Sequence, residues 1–451
     1  LSSWYTIYRW ASAAIFGFGF VPLAGYSLID ADARKRLADR LGIYRIARSD
    51  GCCPRIWLHA ASMGEVTVAE SIIAAIRSKL PEAQIVLSAM TPHGFRHGVA
   101  RMPADVDLIQ APLDVAPLLS HALNDIRPDL LVLLETEIWP NWIMETARRK
   151  IPIAMVNGRI SSRSIGRYRL LRPLMAEILP KIGWFSMIHE ADAERIASIG
   201  APAERIVVNG NAKFDMLCRR ADPGRIRTIR ASFGVDGDDP VFLAGSLRGR
   251  ESVRILDVYR LLKERLPELR LILAPRHLQR IGEIVSALHE RKMPFVLKTR
   301  LASSSGTAFG GWDVLVLDTM GELFDAYALA DVVFCGGSLV PKGGQNIMEP
   351  ASWGKPVLYG PHMEDFQDAR LVLEREGGGG AVRDDQELYR QVLRLLQFPD
   401  EALRMGQKAR TALVRHEGAS ERHAEGLLGM LGHATCNQKR FLRQHQSNGK
   451  Y

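Results

Sequence analysis

Short runs rich in Val, Ile and Leu, four or five residues long, recur along this chain and alternate with helical patterns. That alternation leaves few folds open. In the first half the expected strands are 56–60, 84–88, 106–110, 130–134, 153–156 and 184–188; in the second they are 241–244, 269–273, 313–317, 332–335 and 356–359. Strands that are apolar on both faces and separated by helices read as a parallel sheet covered on both sides. At 451 residues the chain is too long for one ordinary core. The expectation is an α/β protein of two doubly wound, Rossmann-like domains, one over 31–220 and one over 221–432. The segment 209–238, with Asp222-Pro223-Gly224 and Gly234, reads as the linker, 433–451 as a polar tail, and 377–380 as a glycine-rich tract.

Residues 1–30 differ in kind. From Trp10 to Ile29 there is no charge, and Ile15, Phe16, Phe18, Phe20, Val21 and Leu23 fall in that stretch. About 20 apolar residues suffice to span a bilayer. Trp4, Tyr5, Tyr8 and Trp10 sit at one end as an aromatic belt would, and Arg34, Lys35, Arg36 and Arg40 follow the other. This predicts a membrane anchor, spanning or half-inserted, with the bulk of the chain on the cytoplasmic side. No clean A-x-A cleavage site supports a signal peptide.

The formal charge of +9 concerns partners and says nothing about fold. Nucleic acid is not an expected partner: there is no dense Lys/Arg block, zinc-finger spacing or aromatic RNA-binding signature. An anionic membrane face suits the charge better. The cysteines Cys52, Cys53, Cys218, Cys335 and Cys436 are odd in number and scattered, as reduced cytoplasmic cysteines are.

In doubly wound domains ligands bind at the carboxyl ends of the strands, so function is read from the residues that follow each one. The first strand leads into His59-Ala60-Ala61-Ser62-Met63-Gly64-Glu65. Ser62 and Glu65 have capping-box spacing; equally, Gly64 makes room and Glu65 is placed as a general base for a sugar hydroxyl. The fourth ends in Glu135-Thr136-Glu137-Ile138-Trp139-Pro140-Asn141, carboxylates that serve a helix dipole or a substrate. Arg159, and after it Arg163 and Arg167, suit phosphates on an acidic acceptor or an exposed basic face. In the second half the strand ends carry Gly245-Ser246, Pro275-Arg276-His277, Asp318-Thr319-Met320-Gly321-Glu322, and the run from Gly336-Gly337-Ser338 through Gly343-Gly344-Gln345-Asn346 to Glu349-Pro350. Glycines let amides approach a phosphate, and a helix opening after Gly344 adds its dipole. Asn346 and Glu349 again have capping-box spacing; a first-turn carboxylate also accepts ribose hydroxyls.

Taken together, these segments resemble the Kdo transferases, which add 3-deoxy-D-manno-oct-2-ulosonic acid to the lipid A precursor. The matching stretches are 57–65, 135–141, 157–161, 210–215, 275–277 and 336–350, then Gly354-Lys355-Pro356 and Gly360-Pro361, in the family's order over almost the whole chain. The resemblance implies a GT-B fold with two domains facing a central cleft. It also implies CMP-Kdo as donor, no metal or other cofactor, inversion at the anomeric carbon and a place at the cytoplasmic face of the inner membrane. Glu65 matches the family's base and Glu137 a second required motif. Ser246, Arg276, His277, Gly321, Glu322, Gly337, Ser338, Gly344, Asn346 and Glu349 fall to the donor, and Ser62, Gly64 and Arg159 to the acceptor. After Gly245-Ser246 the family usually continues Thr-His-Glu-Gly-Glu, where this chain has Leu247-Arg248-Gly249-Arg250-Glu251. Gln345 stands where His is frequent.

Three rival readings compete with this one. Asp105-Val106-Asp107 is formally a DxD metal motif but lies far from the glycine-rich segment, and His93 and His97 lack a third ligand nearby. A GT-B transferase using a uridine nucleotide differs only in the base, which these residues do not identify. A non-catalytic nucleotide-sugar binding protein has no evident use for Glu65. The number of Kdo units and the oligomeric state are not encoded in any motif.

Overall fold

The computed structural model describes residues 3–29, 37–46, 53–161, 164–235, 237–303 and 312–432, with the side chains of 19–29 excepted. Arg34, Lys35, Arg36, Cys52, Arg163, Cys436 and the tail 433–451 lie outside the described residues. The chain forms two compact units, residues 1–213 together with 418 onward, and residues 214–417.

The first unit holds seven parallel strands: β1 (Arg55–Ala60), β2 (Gln84–Ala89), β3 (Val106–Gln110), β4 (Leu130–Leu134), β5 (Ile153–Gly158), β6 (Trp184–Met187) and β7 (Ile206–Val208), in the order β3-β2-β1-β4-β5-β6-β7. Side chains alternate across a strand, so β1 feeds two cores at once. Ile56 and Leu58 pack with Val66, Ala69, Ile72 and Ile76 of the helix Met63–Lys79, while Trp57 packs with Trp142 on the opposite face.

The second unit repeats the architecture with β8 (Val241–Leu247), β9 (Arg270–Pro275), β10 (Phe295–Leu297), β11 (Val314–Val316), β12 (Val332–Cys335), β13 (Val357–Tyr359) and β14 (Gly379–Ala381). Their order is β10-β11-β9-β8-β12-β13-β14, again all parallel. In each sheet the chain reverses its winding beside the first strand, between β1 and β4 and between β8 and β12. Loops diverge at such a switch point and leave a crevice for ligands.

Three expectations need correction. Segment 209–238 is no structureless linker: it carries the helices Ala212–Arg220 and Ile226–Ser232. The units divide within the first of these, between Lys213 and Phe214. Of the glycine-rich tract, Gly379 and Gly380 form, with Ala381, the edge strand β14, paired to β13. Residues 419–432 are helical and return to the first unit, where Ala424, Leu427 and Leu431 pack against the β1 face.

At the amino end the helix Ser3–Ile29 docks on the first unit. Tyr5 is buried and its hydroxyl donates to Asn141 Oδ1 at 3.0 Å; the Tyr8 hydroxyl donates to Asp114 Oδ2 at 2.7 Å. Trp4, Ile7, Trp10, Ile15 and Phe18 are exposed. Among the described residues no helix is long and apolar enough to cross a membrane. Tyr, Ser and Gly interrupt the stretch from Trp10 to Ile29, and the described helix does not bear out the spanning form of the expected anchor.

Candidate active site

Glu65, Glu135 and Glu137 are brought together by the two loops that leave β1 and β4, neighbours at the first switch point. Each carboxylate is held differently. Ser62 caps the helix Met63–Lys79 by accepting from the Glu65 N–H at 3.3 Å, and its hydroxyl donates to Glu65 Oε1 at 2.9 Å. The Ala61 N–H donates to Glu65 Oε2 at 2.6 Å, where an ordinary capping box would use the cap residue's own amide. The cap and the base are therefore one arrangement.

Glu65 is buried, and burial pushes its carboxyl up to about 7. The Ala61 N–H opposes that rise, and the charges of Glu137 and Glu135 reinforce it. A carboxylate that titrates near neutrality is suited to take a proton from a hydroxyl. Glu135, in the left-handed region at φ 54°, accepts from Lys213 Nζ at 2.6 Å. A Cβ at Gly64 would stand 3.4 Å from that same nitrogen, so this face of the helix turn lies directly against the lysine. Glu137 accepts from Trp139 Nε1 at 2.6 Å and lies 3.8 Å from His59 Nε2; burial raises it too, with Glu135 adding to the rise.

Arg159 is exposed beyond β5. Its carbonyl accepts from the Thr136 hydroxyl, which ties the β5 loop to the β4 loop. Lys213 and His59 were not singled out by sequence. The signal available for them was membership of the stretches 210–215 and 57–65.

In the second unit the loops after β8 and β12 meet at the other switch point. They meet on a carboxylate. Glu251, fully buried, accepts the backbone N–H groups of Arg248 (2.8 Å), Gly337 (2.6 Å), Ser338 (3.0 Å) and Leu339 (2.9 Å). Gly337 has φ 67°, a left-handed conformation that turns successive amides toward one point. The glycine-rich turn is an anion nest, as expected, but its anion is internal. Ser338 is likewise committed: its hydroxyl donates to Cys335 O at 2.5 Å and accepts from the Gly360 N–H at 2.8 Å. Gly337 and Ser338 thus hold the turn and have no free amide to offer a donor phosphate.

The other donor candidates surround this turn. Gly344 N–H donates to Gly337 O at 2.8 Å and closes the loop. The helix that follows is short, Met348–Ser352, with Ile347 already in helical dihedrals before it. Asn346 Oδ1 accepts from the Met348 N–H at 3.1 Å, the cap bond the spacing predicts, and the Asn346 side-chain amide, in place of its backbone N–H, donates to Glu349 Oε1 at 3.1 Å. Burial raises the Glu349 carboxyl against the pull of Asn346, Arg220 and Arg276. Arg276 and His277 are exposed after β9. Ser246 takes φ 56° at the end of β8, and Gly321 φ 90° beyond β11. Glu322 pairs with Lys298 at 3.2 Å. Arg248, where the resemblance expects His, keeps a buried Nε with no hydrogen-bond partner.

Among the described residues no group of three or more His, Cys, Asp or Glu is placed to hold a metal ion. Asp105 pairs with Arg77, His97 with Thr67 at 3.1 Å and His93 with Arg96 at 3.1 Å. Cys218 and Cys335 are free thiols.

Comparison with known proteins places this geometry. The chain is 31% identical to the 3-deoxy-D-manno-octulosonic acid transferase of Haemophilus influenzae, over 86% of this chain and 90% of that one. The chain belongs to the Kdo transferase family. Residues 35–216 match the family profile described as 3-deoxy-D-manno-octulosonic-acid transferase (kdotransferase), a span that includes the loops after β1 and β4. A bifunctional glycosyltransferase/methyltransferase of Fusobacterium nucleatum is 36% identical over 72% of this chain, which spans half of that protein's length. The fold alone is shared with UDP-GlcNAc 2-epimerase from Neisseria meningitidis, at TM-score 0.57 and 15% identity, covering 83% of this chain and all of that one. Within the Kdo transferase pattern, Glu251 stands where the family's usual Thr-His-Glu-Gly-Glu ends in Glu.

Proposed function

We propose that this chain transfers Kdo from CMP-Kdo to the lipid A precursor, lipid IVA, by a single inverting displacement in lipopolysaccharide core biosynthesis. The observation that carries the reading is Glu65, a buried carboxyl in the first turn of the helix after β1, pushed up to about 7 by burial. Glu65 takes the proton of a primary glucosamine hydroxyl, and that oxygen forms a bond to the anomeric carbon of Kdo. The bond from that carbon to the phosphate oxygen breaks, and CMP departs with the electron pair. Arg276 is the cation assigned to the leaving phosphate, with Asn346 and Glu349 assigned to the nucleoside. No metal takes part in these steps. The amides of Gly337 and Ser338 are not assigned to the phosphate, because Glu251 holds them.

The amino-terminal helix is proposed to lie in the cytoplasmic surface of the inner membrane. Its exposed Trp4, Ile7, Trp10, Ile15 and Phe18 would enter the interface while Tyr5 and Tyr8 hold the first unit. The deciding experiment is product mass after incubating detergent-solubilised protein with CMP-Kdo, made in situ, and tetraacylated lipid A precursor in the presence of EDTA. A lipid heavier by one or more Kdo units is expected. An unchanged lipid beside an active control enzyme would sink the assignment and favour a uridine-nucleotide donor.

A further inference from the structure

We infer that the amino-terminal helix Ser3–Ile29 is a working part of the candidate active site, with Tyr8 and Asp114 as positioning residues for Glu137. The inference deepens the proposed transferase reading and rests on it for its catalytic meaning, though not for the spectroscopic part of its test.

The helix Pro140–Arg148 opens directly behind the loop that carries Glu135 and Glu137, and its cap residue, Trp139, gives it no side-chain bond. The cap comes from elsewhere in the chain. Asp114, on the loop after β3, accepts from the Trp142 N–H at 3.0 Å through Oδ1 and from the Asn141 N–H at 3.4 Å through Oδ2. Asn141 and Trp142 are the second and third helical positions, whose amides a capping oxygen satisfies, and a negative charge there also meets the positive end of the helix dipole. Oδ2 is completed by the amino-terminal helix: the Tyr8 hydroxyl donates to it at 2.7 Å.

Asn141, fully buried, ties the same turn down a second time, and its orientation is fixed. Its side-chain nitrogen faces the Asp114 carbonyl at 2.7 Å, an oxygen that only accepts, so Oδ1 is the atom that faces Tyr5. The Tyr5 hydroxyl therefore donates to Oδ1 at 3.0 Å, and the second amide hydrogen goes to Ser12 Oγ at 3.1 Å. Ser12 gives its own hydrogen to the Arg9 carbonyl at 3.0 Å. Tyr5, Tyr8 and Ser12 stand at i, i+3 and i+7 on one face of their helix. A helix that served only to hold a membrane would need none of these bonds.

The first turn held in this way sets the surroundings of Glu137. Trp142 stacks on His59 at 4.2 Å between ring centroids and meets Trp57 at 4.6 Å. Trp139, one residue ahead of the helix, donates from Nε1 to Glu137 Oε2 at 2.6 Å, and His59 Nε2 lies 3.8 Å from the same oxygen. Glu137 is thus held by Trp139 and faces the imidazole that Trp142 supports. Loosening the turn moves both tryptophans, and with them a carboxylate whose charge acts on Glu65.

In the full chain in detergent, delivery of the lipid from a membrane does not limit the rate, so positioning can be read by itself. With 5-fluorotryptophan throughout, the 19F resonances of Trp139 and Trp142, assigned through W139F and W142F, report on the turn. Y5F/Y8F/S12A removes three hydroxyls and keeps both rings. It should shift or broaden these two resonances and leave those of Trp312 and Trp353, in the second unit, unchanged. Its kcat on tetraacylated lipid A precursor should fall about 10-fold or more, the factor carried by one hydrogen bond to a charged group. KM for CMP-Kdo should stay within about 2-fold, since the donor residues lie in the second unit. D114N still accepts the Trp142 N–H through its amide oxygen and should keep most of the native kcat, which D114A should lose. Native positions for both tryptophan resonances in the triple variant overturn the inference. So does a native kcat, or D114N as impaired as D114A. Should the triple variant not fold, Y8F is read by the same resonances and rates. Shifted resonances in a protein that makes no Kdo product would sink the transferase reading and leave the coupling of the helix to the Glu137 loop standing.

Discussion

Glu251 Oε2 accepts the backbone N–H of Gly337 at 2.6 Å across 86 residues of sequence, and with its other contacts it joins the loops of β8 and β12 at one point. A buried carboxylate held by four amides and, among the described residues, by no cation behaves as a built-in substitute for a bound anion. Replacing it by Ala leaves four buried donors unsatisfied. E251A should lose about 3 kcal/mol or more of unfolding free energy of the second unit in urea. E251Q, which can accept through only one oxygen, should weaken CMP binding by calorimetry more than it lowers kcat. Unchanged CMP affinity in both variants would remove the clamp from the donor site.

Glu65 links catalysis to stability with opposite signs. Its folded carboxyl titrates near 7, above the usual value near 4.3. Between those values the folded state holds a proton that the unfolded state has lost, so its contribution to stability falls as pH rises through that window. Denaturation of E65Q at pH 8 should therefore show a gain of about 1–3 kcal/mol over the native protein, vanishing below about pH 4.5. In the active protein, kcat/KM should rise through about pH 7 as the base ionises. E65Q should fall by about 100-fold or more while CMP binding persists.

Lys213 neutralises Glu135 at 2.6 Å, and Glu135 in turn acts on both Glu65 and Glu137. K213M frees that negative charge. The acid limb of kcat/KM should shift to higher pH, and added salt should narrow the difference between variant and native protein. An unshifted limb would show that Glu135 does not reach Glu65.

Gly426, in the returning helical segment, has Trp184 Cη2 within 2.2 Å of where a Cβ would stand. G426A should cost about 1–3 kcal/mol by overpacking. Hydrogen exchange should show the lost protection in β5 and β6 of the first unit, with none lost in the second.

The exposed face of the amino-terminal helix supplies the last expectation. Trp4→Ser, Trp10→Ser and Phe18→Ser together should abolish flotation with anionic vesicles and leave the fold intact, since the docking contacts come from Tyr5 and Tyr8. Undiminished flotation would assign membrane contact to another surface.

Much of this was legible beforehand because buried parallel strands must be apolar on both faces. The central strands β1, β4, β8 and β12 announced themselves, and with them the loops that carry Glu65, Glu137 and the glycine-rich turn. The edge strands β7, β10 and β14 did not: three residues each, they are completed by one neighbour, and Gly379–Ala381 has no apolar side chain larger than alanine to mark it. Capping-box spacing at Ser62 and Glu65 was local and was found. At Asn346 the same spacing gave the bond from the Met348 N–H, and Glu349 is met by the Asn346 side-chain amide in place of a backbone N–H. Sequence by itself determined which residues follow which strand, since that depends on neighbours along the chain. Only tertiary structure decided that Glu251 fills the nest, that Lys213 meets Glu135 and that His59 faces Glu137. Those contacts join residues far apart in sequence, and they form because the winding of each sheet reverses beside its first strand.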